Sequence, residues 1–327
     1  MKALVYDAPE TLTYRDMPDP VAGDGHLIKV QAVGICGSDM HAYLGHDNRR
    51  PAPLILGHEV GGVITGGPRD GTRVTVNPLV TCGACPACVA GRDNLCPDRQ
   101  IISMPPREGG FAEWLSMPGD NLVEVPDTIA LEQAALAEPI ACGWHAVRLA
   151  QTALGGPAET ALVLGGGAIG LGGALSLAAQ GAGAITIVEP NAQRRSYLRD
   201  HCHQNAIAPE ELNGDAQFDL VLDGVGYSAT RATASAHARP GGVITHIGLG
   251  EDTGGLDIRR MTLQEITFIG TYTYTAEDFR QTARAMFEGR LGALNWSETR
   301  ALADGAQAFS DIRAGRAAAP KIILSPF

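Results

Sequence analysis

Four of the seven cysteines lie within a stretch of fifteen residues, at Cys82, Cys85, Cys88 and Cys96. Their spacing is C-x2-C-x2-C-x7-C, and short Cys-x2-Cys segments fold their sulfurs back towards one point. Four thiolates form the closed tetrahedral shell of a structural zinc site, which holds a loop and leaves no open position. A cluster of free or disulfide-linked thiols is the alternative, but it is less typical of this spacing. The segment therefore predicts a structural zinc, and a catalytic metal would have to lie elsewhere.

A second concentration of metal-binding residue types occurs in the motifs CGSDMH and GHE. Cys36, His58 and Glu59 are all good zinc ligands. Glu138 is an acid inside the apolar segment LAEPIACGW, and a buried carboxylate is costly unless it is paired or bound to a metal. Taken singly, Cys36 could be a small buried apolar residue, His58 a core histidine and Glu138 a helix-surface acid. Their occurrence together with the four-cysteine segment favours a second, open metal site.

Gly165, Gly167 and Gly170 form the pattern G-x-G-x-x-G between the strand-like run ALVLG and the helix-like run AIGLGGALSLAAQ. The first glycine permits a tight turn, the second lets a pyrophosphate approach the backbone, and the third lets helix and strand pack closely. The N-terminus of the following helix offers free N–H groups to phosphate. A plain glycine turn is the alternative, but the strand-to-helix context favours a dinucleotide site.

An acid at the end of the next strand gives the predicted cofactor preference. Glu189 lies nineteen residues after Gly170. A carboxylate there accepts a hydrogen bond from the 2′-OH of a ribose and repels a 2′-phosphate. NAD is therefore favoured over NADP, although Arg194 and Arg195 weaken this preference because an arginine can hold a phosphate. We also expect three further residues at the cofactor site: Ile169, Gly248 and Leu249.

Two parts of the chain with different sequence patterns must position these groups. Residues 1–125 contain short β-branched runs separated by Gly, Pro and Asp, which predicts a β-rich domain. From about residue 130 onwards, buried-strand candidates such as AITIVE and FDLVLD alternate with helical segments. This alternation predicts an α/β fold with a doubly wound parallel sheet. The last fifty residues fit either domain on pattern alone.

Composition narrows the possible partners. With 327 residues, 45% of them hydrophobic, the chain can form two domains with substantial cores. A net charge of −11 argues against a nucleic-acid or anionic-membrane surface. No secretory signal and no apolar run of membrane-spanning length is visible. We therefore expect a cytoplasmic protein, and a reducing cytosol suits metal-bound thiolates better than disulfides.

The motifs GICGSDMH, GHEVGG, CGACPACVAGRDNLC, GGGAIG and AAPKIIL resemble, in this order, those of the zinc-dependent medium-chain alcohol dehydrogenases. The resemblance covers essentially the whole chain. It is closest to the polyol branch, which includes sorbitol, L-idonate, galactitol-phosphate and threonine dehydrogenases. The AEP triplet around Glu138 is similar to that branch, whereas the simple-alcohol branch usually has a cysteine there.

The resemblance implies a catalytic zinc in addition to the structural one. Cys36 and His58 would bind it, with Glu59 and Glu138 as carboxylate partners, one direct and the other through water. Which of the two binds directly is left open. Asp39 would fix the tautomer of His58.

The resemblance also implies hydride transfer from a secondary alcohol to NAD, giving a ketone. The alcohol would be a polyol, a sugar alcohol or an aldonate-like compound. Ser38 would accept its proton, and His41 would pass the proton towards solvent. A GroES-like catalytic domain with both zincs would comprise 1–140 and 273–327, and a Rossmann NAD-binding domain 141–272. Family members are commonly homodimers or homotetramers.

Two features depart from the family pattern. The stretch between Arg199 and Phe218 is short, so a helix or strand there is expected to be trimmed. Many polyol-branch members resemble F/Y-R-Y where this chain has Tyr272-Thr273-Tyr274, so Thr273 removes a substrate-side cation. A specific polyol is therefore not predicted. The remaining candidates for the substrate side are Tyr43, Glu113 and Tyr272.

Three other functions remain as alternatives. One is a zinc-dependent dehydrogenase of simple secondary alcohols or butanediol. Another, of a different class, is a catalytically silent nucleotide-binding relative, against which the intact set of ligand and relay residues argues. The third is a zinc-free quinone reductase of the same superfamily, which the two metal-ligand sets disfavour.

Overall fold

One part of the chain is built mainly from strands and the other alternates strands with helices, as the sequence predicts. The computed structural model describes residues 1–327. It divides into two units. The first unit comprises Met1–Glu138, Thr275–Phe287 and Ser297–Phe327. The second unit comprises Pro139–Tyr274 and Glu288–Trp296.

The observed units differ from the predicted domain ranges at three places. Residues 139–140 and 273–274, expected in the first unit, lie in the second, and so does the longer segment Glu288–Trp296. There the guanidinium of Arg290 lies over the ring of Trp144, at 5.7 Å from its centroid, and Trp296 is buried. The contact of Arg290 links the segment to Trp144 of the second unit. The assignment of one unit to catalysis and the other to the cofactor stays a prediction.

The first unit is built mainly from β-strands. Its strands are β1 (Lys2–Ala8), β2 (Thr11–Asp16), β3 (His26–Gly34), β4 (Leu54–Ile55), β5 (Glu59–Thr65), β6 (Arg73–Val76), β7 (Leu79–Val80), β8 (Gln100–Ile101), β9 (Trp114–Met117), β10 (Leu122–Glu124), β17 (Ser297–Ala301) and β18 (Lys321–Ser325). Its helices are α1 (Gly37–Tyr43), α2 (Pro86–Val89), α3 (Leu131–Ala134), α9 (Ala276–Phe287) and α10 (Gly305–Arg313).

The main sheet of this unit has the order β10-β6-β5-β3-β18-β17, and β9 also pairs with β3. Smaller sheets have the orders β2-β1-β4 and β7-β8. The C-terminal strand β18 pairs antiparallel with β3, where Ile323 lies opposite Gly34 and Leu324 opposite Val33. The end of the chain therefore completes a sheet that the N-terminal residues begin.

The second unit alternates strands with helices. Helix α4 (Ala137–Leu154) begins in the first unit and continues into the second. The strands that follow are β11 (Thr160–Leu164), β12 (Ala184–Val188), β13 (Ala206–Ile207), β14 (Phe218–Asp223), β15 (Ala238–His246) and β16 (Thr267–Gly270). The helices are α5 (Ala168–Ala179), α6 (Ala192–Asp200), α7 (Ser228–His237) and α8 (Ile258–Leu263).

The six strands form one sheet of order β13-β12-β11-β14-β15-β16, and every pair in it is parallel. Buried apolar runs such as TALVL in β11 are typical of strands covered on both faces. The predicted doubly wound sheet is therefore confirmed. The stretch between Arg199 and Phe218 contains only short elements: β13 has two residues, and the short turn Pro209–Glu211 lies between it and β14. No helix has the length and apolar character needed to cross a membrane.

Candidate functional site

The four predicted cysteines converge on one point. The Sγ atoms of Cys82 and Cys88 are 4.0 Å apart, those of Cys85 and Cys88 3.5 Å, and those of Cys82 and Cys96 3.5 Å. All seven cysteines of the chain are free thiols. Four sulfurs at a Zn–S distance of about 2.3 Å in a tetrahedron would lie about 3.8 Å apart. The observed separations match that shell.

Two of these thiols are electrostatically distinct. Backbone N–H groups of Ala84 and Cys85 lower the pKa of Cys82 to about 7. Burial and the neighbouring Cys85 thiol raise the pKa of Cys88 to about 12. Thiols packed this closely resist simultaneous ionisation unless a cation compensates their charge.

Cys36, His58 and Glu59 form a second cluster, and their ligand atoms all lie within 4.8 Å of one another. Cys36 precedes α1, and the other two lie at the start of β5. Gly57 allows this approach because its φ is +88°, and a Cβ there would collide with the ring of Phe111. The fold therefore brings together residues 22 positions apart in sequence as a thiol, an imidazole and a carboxylate.

Asp39 lies directly behind His58. Its Oδ1 is 3.4 Å from His58 Nδ1, and the side chain of Asp39 is fully buried. The carboxylate also accepts the backbone N–H groups of Cys36, at 3.0 Å, and Gly57, at 3.1 Å. Burial favours the neutral form of Asp39, but the charges of His58 and Arg50 outweigh it and lower its pKa. Burial likewise opposes protonation of His58, yet the charges of Asp39 and Cys36 raise its pKa.

A buried lysine that the sequence analysis missed completes this cluster. Lys321 Nζ donates to Glu59 Oε1 at 2.5 Å and to the carbonyl of Ile35 at 2.9 Å. The side chains of Lys321 and Glu59 are 3% and 0% exposed. A lysine in the otherwise apolar run AAPKIIL was the available signal, because lysine is almost never fully buried unless it is paired.

Glu138 is buried in the first turn of α4. It is not a member of the three-residue cluster. Burial lowers the pKa of Lys321 most strongly, but the neighbouring negative charges, that of Glu138 among them, outweigh burial and raise this pKa. Its role as a metal partner stays a prediction.

Ser38 and His41 lie one turn apart on α1. His41 is exposed, and its ring lies edge-on to that of His46, with centroids 6.5 Å apart. The hydroxyl of Ser38 lies 3.5 Å from Nη2 of Arg50. Arg50 is a second residue that the sequence analysis missed, and no spacing rule would have singled it out.

The glycine loop has the predicted strand–turn–helix geometry. Gly165 directly follows β11 and begins the turn with φ +94°, and Gly167 is the N-cap of α5. A Cβ at Gly170 would strike the carbonyl of Gly165, so only glycine allows this close packing. A Cβ at Gly167 would meet only Nη1 of Arg194, at 3.8 Å. The face of Gly167 is therefore open to an approaching ligand.

Glu189, at the end of β12, is 7% exposed. Its two carboxylate oxygens accept the backbone N–H groups of Gly166, at 2.8 Å, and Asn191, at 2.7 Å. Arg195 donates to the carbonyls of Glu189 and Pro190. The predicted acid therefore lies against the glycine loop itself.

The other cofactor candidates lie at the carboxyl ends of neighbouring strands. Ile169 packs beside Gly224, which follows β14. Gly248 and Leu249 follow β15 and line a cavity of about 380 Å³. Leu249 is 72% exposed, as a residue available to a ligand would be.

Two of the three substrate-side candidates have contacts that can be described, and a substrate role for all three stays a prediction. The ring of Tyr43 packs against Phe309, with centroids 5.2 Å apart. Glu113 accepts the backbone N–H of Lys2 at 2.7 Å. Thr273, which replaces the expected cation, has a left-handed backbone with φ +47°.

Comparison with known proteins agrees with this geometry. Residues 23–127 match the family model described as the alcohol dehydrogenase GroES-like domain. Residues 168–288 match the family model described as zinc-binding dehydrogenase. The two matched ranges cover the four-cysteine segment, the Cys36 cluster and the greater part of the parallel sheet.

Relatives match over most of their length. An L-galactonate-5-dehydrogenase of Escherichia coli (strain K12) is 34% identical, covering 90% of this chain and 89% of the relative. A sorbitol dehydrogenase of Bacillus subtilis (strain 168) is 35% identical, covering 84% and 82%. A crystal structure from Sinorhizobium meliloti 1021, described as a zinc-binding dehydrogenase bound to NADP, is 27% identical with a TM-score of 0.88, covering 99% of each chain. The chain therefore belongs to the zinc-binding medium-chain alcohol dehydrogenases, within their polyol and sugar-alcohol branch.

Proposed function

We propose that this protein transfers a hydride from a secondary alcohol to NAD, giving a ketone, with one catalytic and one structural zinc per chain. The alcohol would be a polyol, a sugar alcohol or an aldonate-like compound, the class to which the substrates named for the two relatives belong. The observation that carries this proposal is the buried cluster of Cys36, His58 and Glu59, with ligand atoms within 4.8 Å of one another.

The donor atoms of this cluster fit a zinc ion. A thiolate, an imidazole and a carboxylate are the ligand types that zinc prefers. Glu59 Oε2 is buried and makes no hydrogen bond, whereas Oε1 is held by Lys321. A buried carboxylate oxygen without a partner is costly, and a cation at the cluster would satisfy it. A zinc ion bound there would supply a Lewis acid that lowers the pKa of the alcohol hydroxyl.

The neighbouring residues of the chain have separate tasks under this proposal. Asp39 faces Nδ1 of His58, which fixes the imidazole and leaves Nε2 for the metal. Ser38 accepts the proton that the alcohol releases and at the same time gives up its own hydroxyl proton towards His41. His41, one turn further along α1 and exposed, passes this proton to solvent, for which the ordinary histidine pKa of about 6.5 is suited.

The second unit would bind the cofactor. The pyrophosphate would approach the open face of Gly167 and the N-terminus of α5. Glu189 lies against this loop, where its negative charge disfavours the 2′-phosphate of NADP. We therefore propose NAD as the preferred cofactor. We also expect a homodimer or homotetramer, because closed symmetric assemblies are the general rule for soluble oligomers.

The test is NADH formation by purified, zinc-loaded protein on a panel of alcohols. The panel contains polyols, aldonic acids, 3-hydroxy amino acids and simple secondary alcohols, each with and without a strong chelator. A chelator-sensitive rate with polyols or aldonic acids is the expected result. A faster rate with simple secondary alcohols would overturn the substrate class. No rate with any compound, at verified zinc content, would favour a catalytically silent relative.

Variants test the metal assignment. Cys36→Ser and His58→Ala are expected to abolish turnover and to reduce the zinc content from two per chain to one, while the protein stays folded. Cys202→Ser is the matched control, because Cys202 is a half-buried free thiol outside both clusters. Turnover retained in Cys36→Ser or His58→Ala would contradict the catalytic zinc.

A further inference from the structure

Arg50 is a buried arginine beside the proposed proton-accepting serine. Its side chain is 3% exposed. Nε donates to the carbonyl of Ser103 at 3.1 Å, Nη1 to the carboxylate of Asp47 at 2.5 Å, and Nη2 lies 3.5 Å from Ser38 Oγ. One side chain therefore connects three separate parts of the first unit.

The position of this guanidinium is fixed from two sides. Asp47, 8% exposed in its side chain, remains ionised. Burial opposes ionisation, but hydrogen bonds from Arg49 and the charge of Arg50 lower its pKa to about 2. Ser103 is fully buried, and its left-handed backbone, with φ +66°, places the carbonyl against Nε. The guanidinium of Arg50 is thus held in place by Asp47 and Ser103 when it makes its third contact, to Ser38.

The chemistry of the two groups sets the direction of their contact. A guanidinium has five N–H donors and no acceptor, whereas a hydroxyl has one donor and two acceptor lone pairs. Ser38 must therefore accept from Arg50, and its own O–H cannot point at Arg50. We propose that Arg50 is a positioning residue that turns the Ser38 hydroxyl so that its remaining lone pair faces the alcohol and its O–H is free to pass its proton on towards His41. This inference rests on the proposed function.

The experiment is a double-mutant cycle on the zinc-loaded enzyme with its preferred alcohol. Ser38→Ala is expected to lower kcat about 100-fold, and Arg50→Met about tenfold or more with KM changed less than about threefold. In the Ser38→Ala background, Arg50→Met should change kcat less than about twofold, because the hydroxyl that it positions is gone. If Arg50→Met lowers kcat by the same factor with and without Ser38, Arg50 does not act through Ser38 and the inference is wrong.

Two further variants separate positioning from support of the fold. Arg49→Met is the matched control, because Arg49 pairs with the same Asp47 carboxylate and is exposed; its kcat should stay within about twofold of the wild type. Arg50→Lys keeps a positive charge beside Asp47, so it can be assayed even if Arg50→Met does not fold. A lysine lacks the planar fork that reaches three acceptors, so kcat should still fall about tenfold. Full activity in Arg50→Lys would overturn the inference.

Melting temperatures of the four proteins in the cycle give a readout that does not depend on turnover. Arg50→Met should lower the melting temperature about 1–3 °C more in the wild-type background than in Ser38→Ala, the difference expected for one hydrogen bond. Equal shifts would mean that the contact contributes nothing. If the wild type forms no NADH on any alcohol, the proposed function fails, while the melting temperatures still decide whether Arg50 holds Ser38.

Discussion

Replacing Lys321 with methionine tests the electrostatic description of the Cys36 cluster most directly. The variant removes the ammonium group from Glu59, whose side chain is fully buried and 2.5 Å from Lys321 Nζ. It also leaves the carbonyl of Ile35 without the N–H donor that it receives at 2.9 Å. Methionine fills a similar volume, so the loss is mainly one of charge and hydrogen bonds rather than of packing.

The expected magnitude follows from burial. Removing one partner of a buried ion pair costs about 3–5 kcal/mol, because the other charge stays buried without compensation. For a unit of this size, each kcal/mol shifts the melting temperature by about 2–4 °C, so the transition of the first unit should fall by roughly 6–20 °C. The matched control is Lys2→Met, because Lys2 pairs with Asp16 at 2.8 Å while both side chains are exposed. That variant should lose much less stability than Lys321→Met, because an exposed ion pair contributes little.

The assay is calorimetric unfolding of wild type, Lys321→Met, Glu59→Gln and the double variant. Because each single variant leaves one charge of this pair without its partner and the double variant removes both charges, the double variant should be at least about 2 kcal/mol more stable than the sum of the single losses predicts. Additive losses, or a Lys321→Met loss as small as that of Lys2→Met, would refute the view that these two charges compensate each other.

Three further predictions concern the zinc loop and the cofactor site. Cys85→Ser should remove one zinc per chain and lower the melting temperature, since structural metal binding is coupled to folding; unchanged stability after verified zinc loss would contradict a structural role. Zinc in this loop should transfer to a competing chelator more readily as the pH falls from 8 to 5, because the metal binds thiolates and protons compete for them; a transfer rate that is flat over this range would contradict it. Glu189→Ala should raise kcat/KM for NADP relative to NAD about tenfold or more, because it removes a negative charge and frees the N–H groups of Gly166 and Asn191 for phosphate; an unchanged ratio in steady-state kinetics would show that Glu189 does not set the preference.

The sequence by itself predicted the features that depend on short spacing. Two cysteines separated by two residues are brought together by a local turn, so Cys82, Cys85 and Cys88 could be grouped without knowledge of the fold. The glycine loop is local in the same sense, because Gly165 and Gly170 belong to one strand–turn–helix unit. The alternation of strands and helices likewise predicted the parallel sheet, since each element carries its own hydrophobic pattern.

Tertiary structure alone decided which distant groups compensate each other. Lys321 and Glu59 are 262 residues apart in sequence, and they meet because β18 pairs with β3 beside β5. Arg50 reaches Ser38 and Ser103 only because separate loops converge around its side chain. Burial makes these partners necessary, because a charge removed from water requires compensation from whatever the fold brings near it. Residue types and spacing predicted the candidate ligands, whereas the partners of their charges depended on long-range strand pairing and loop packing that no local pattern encodes.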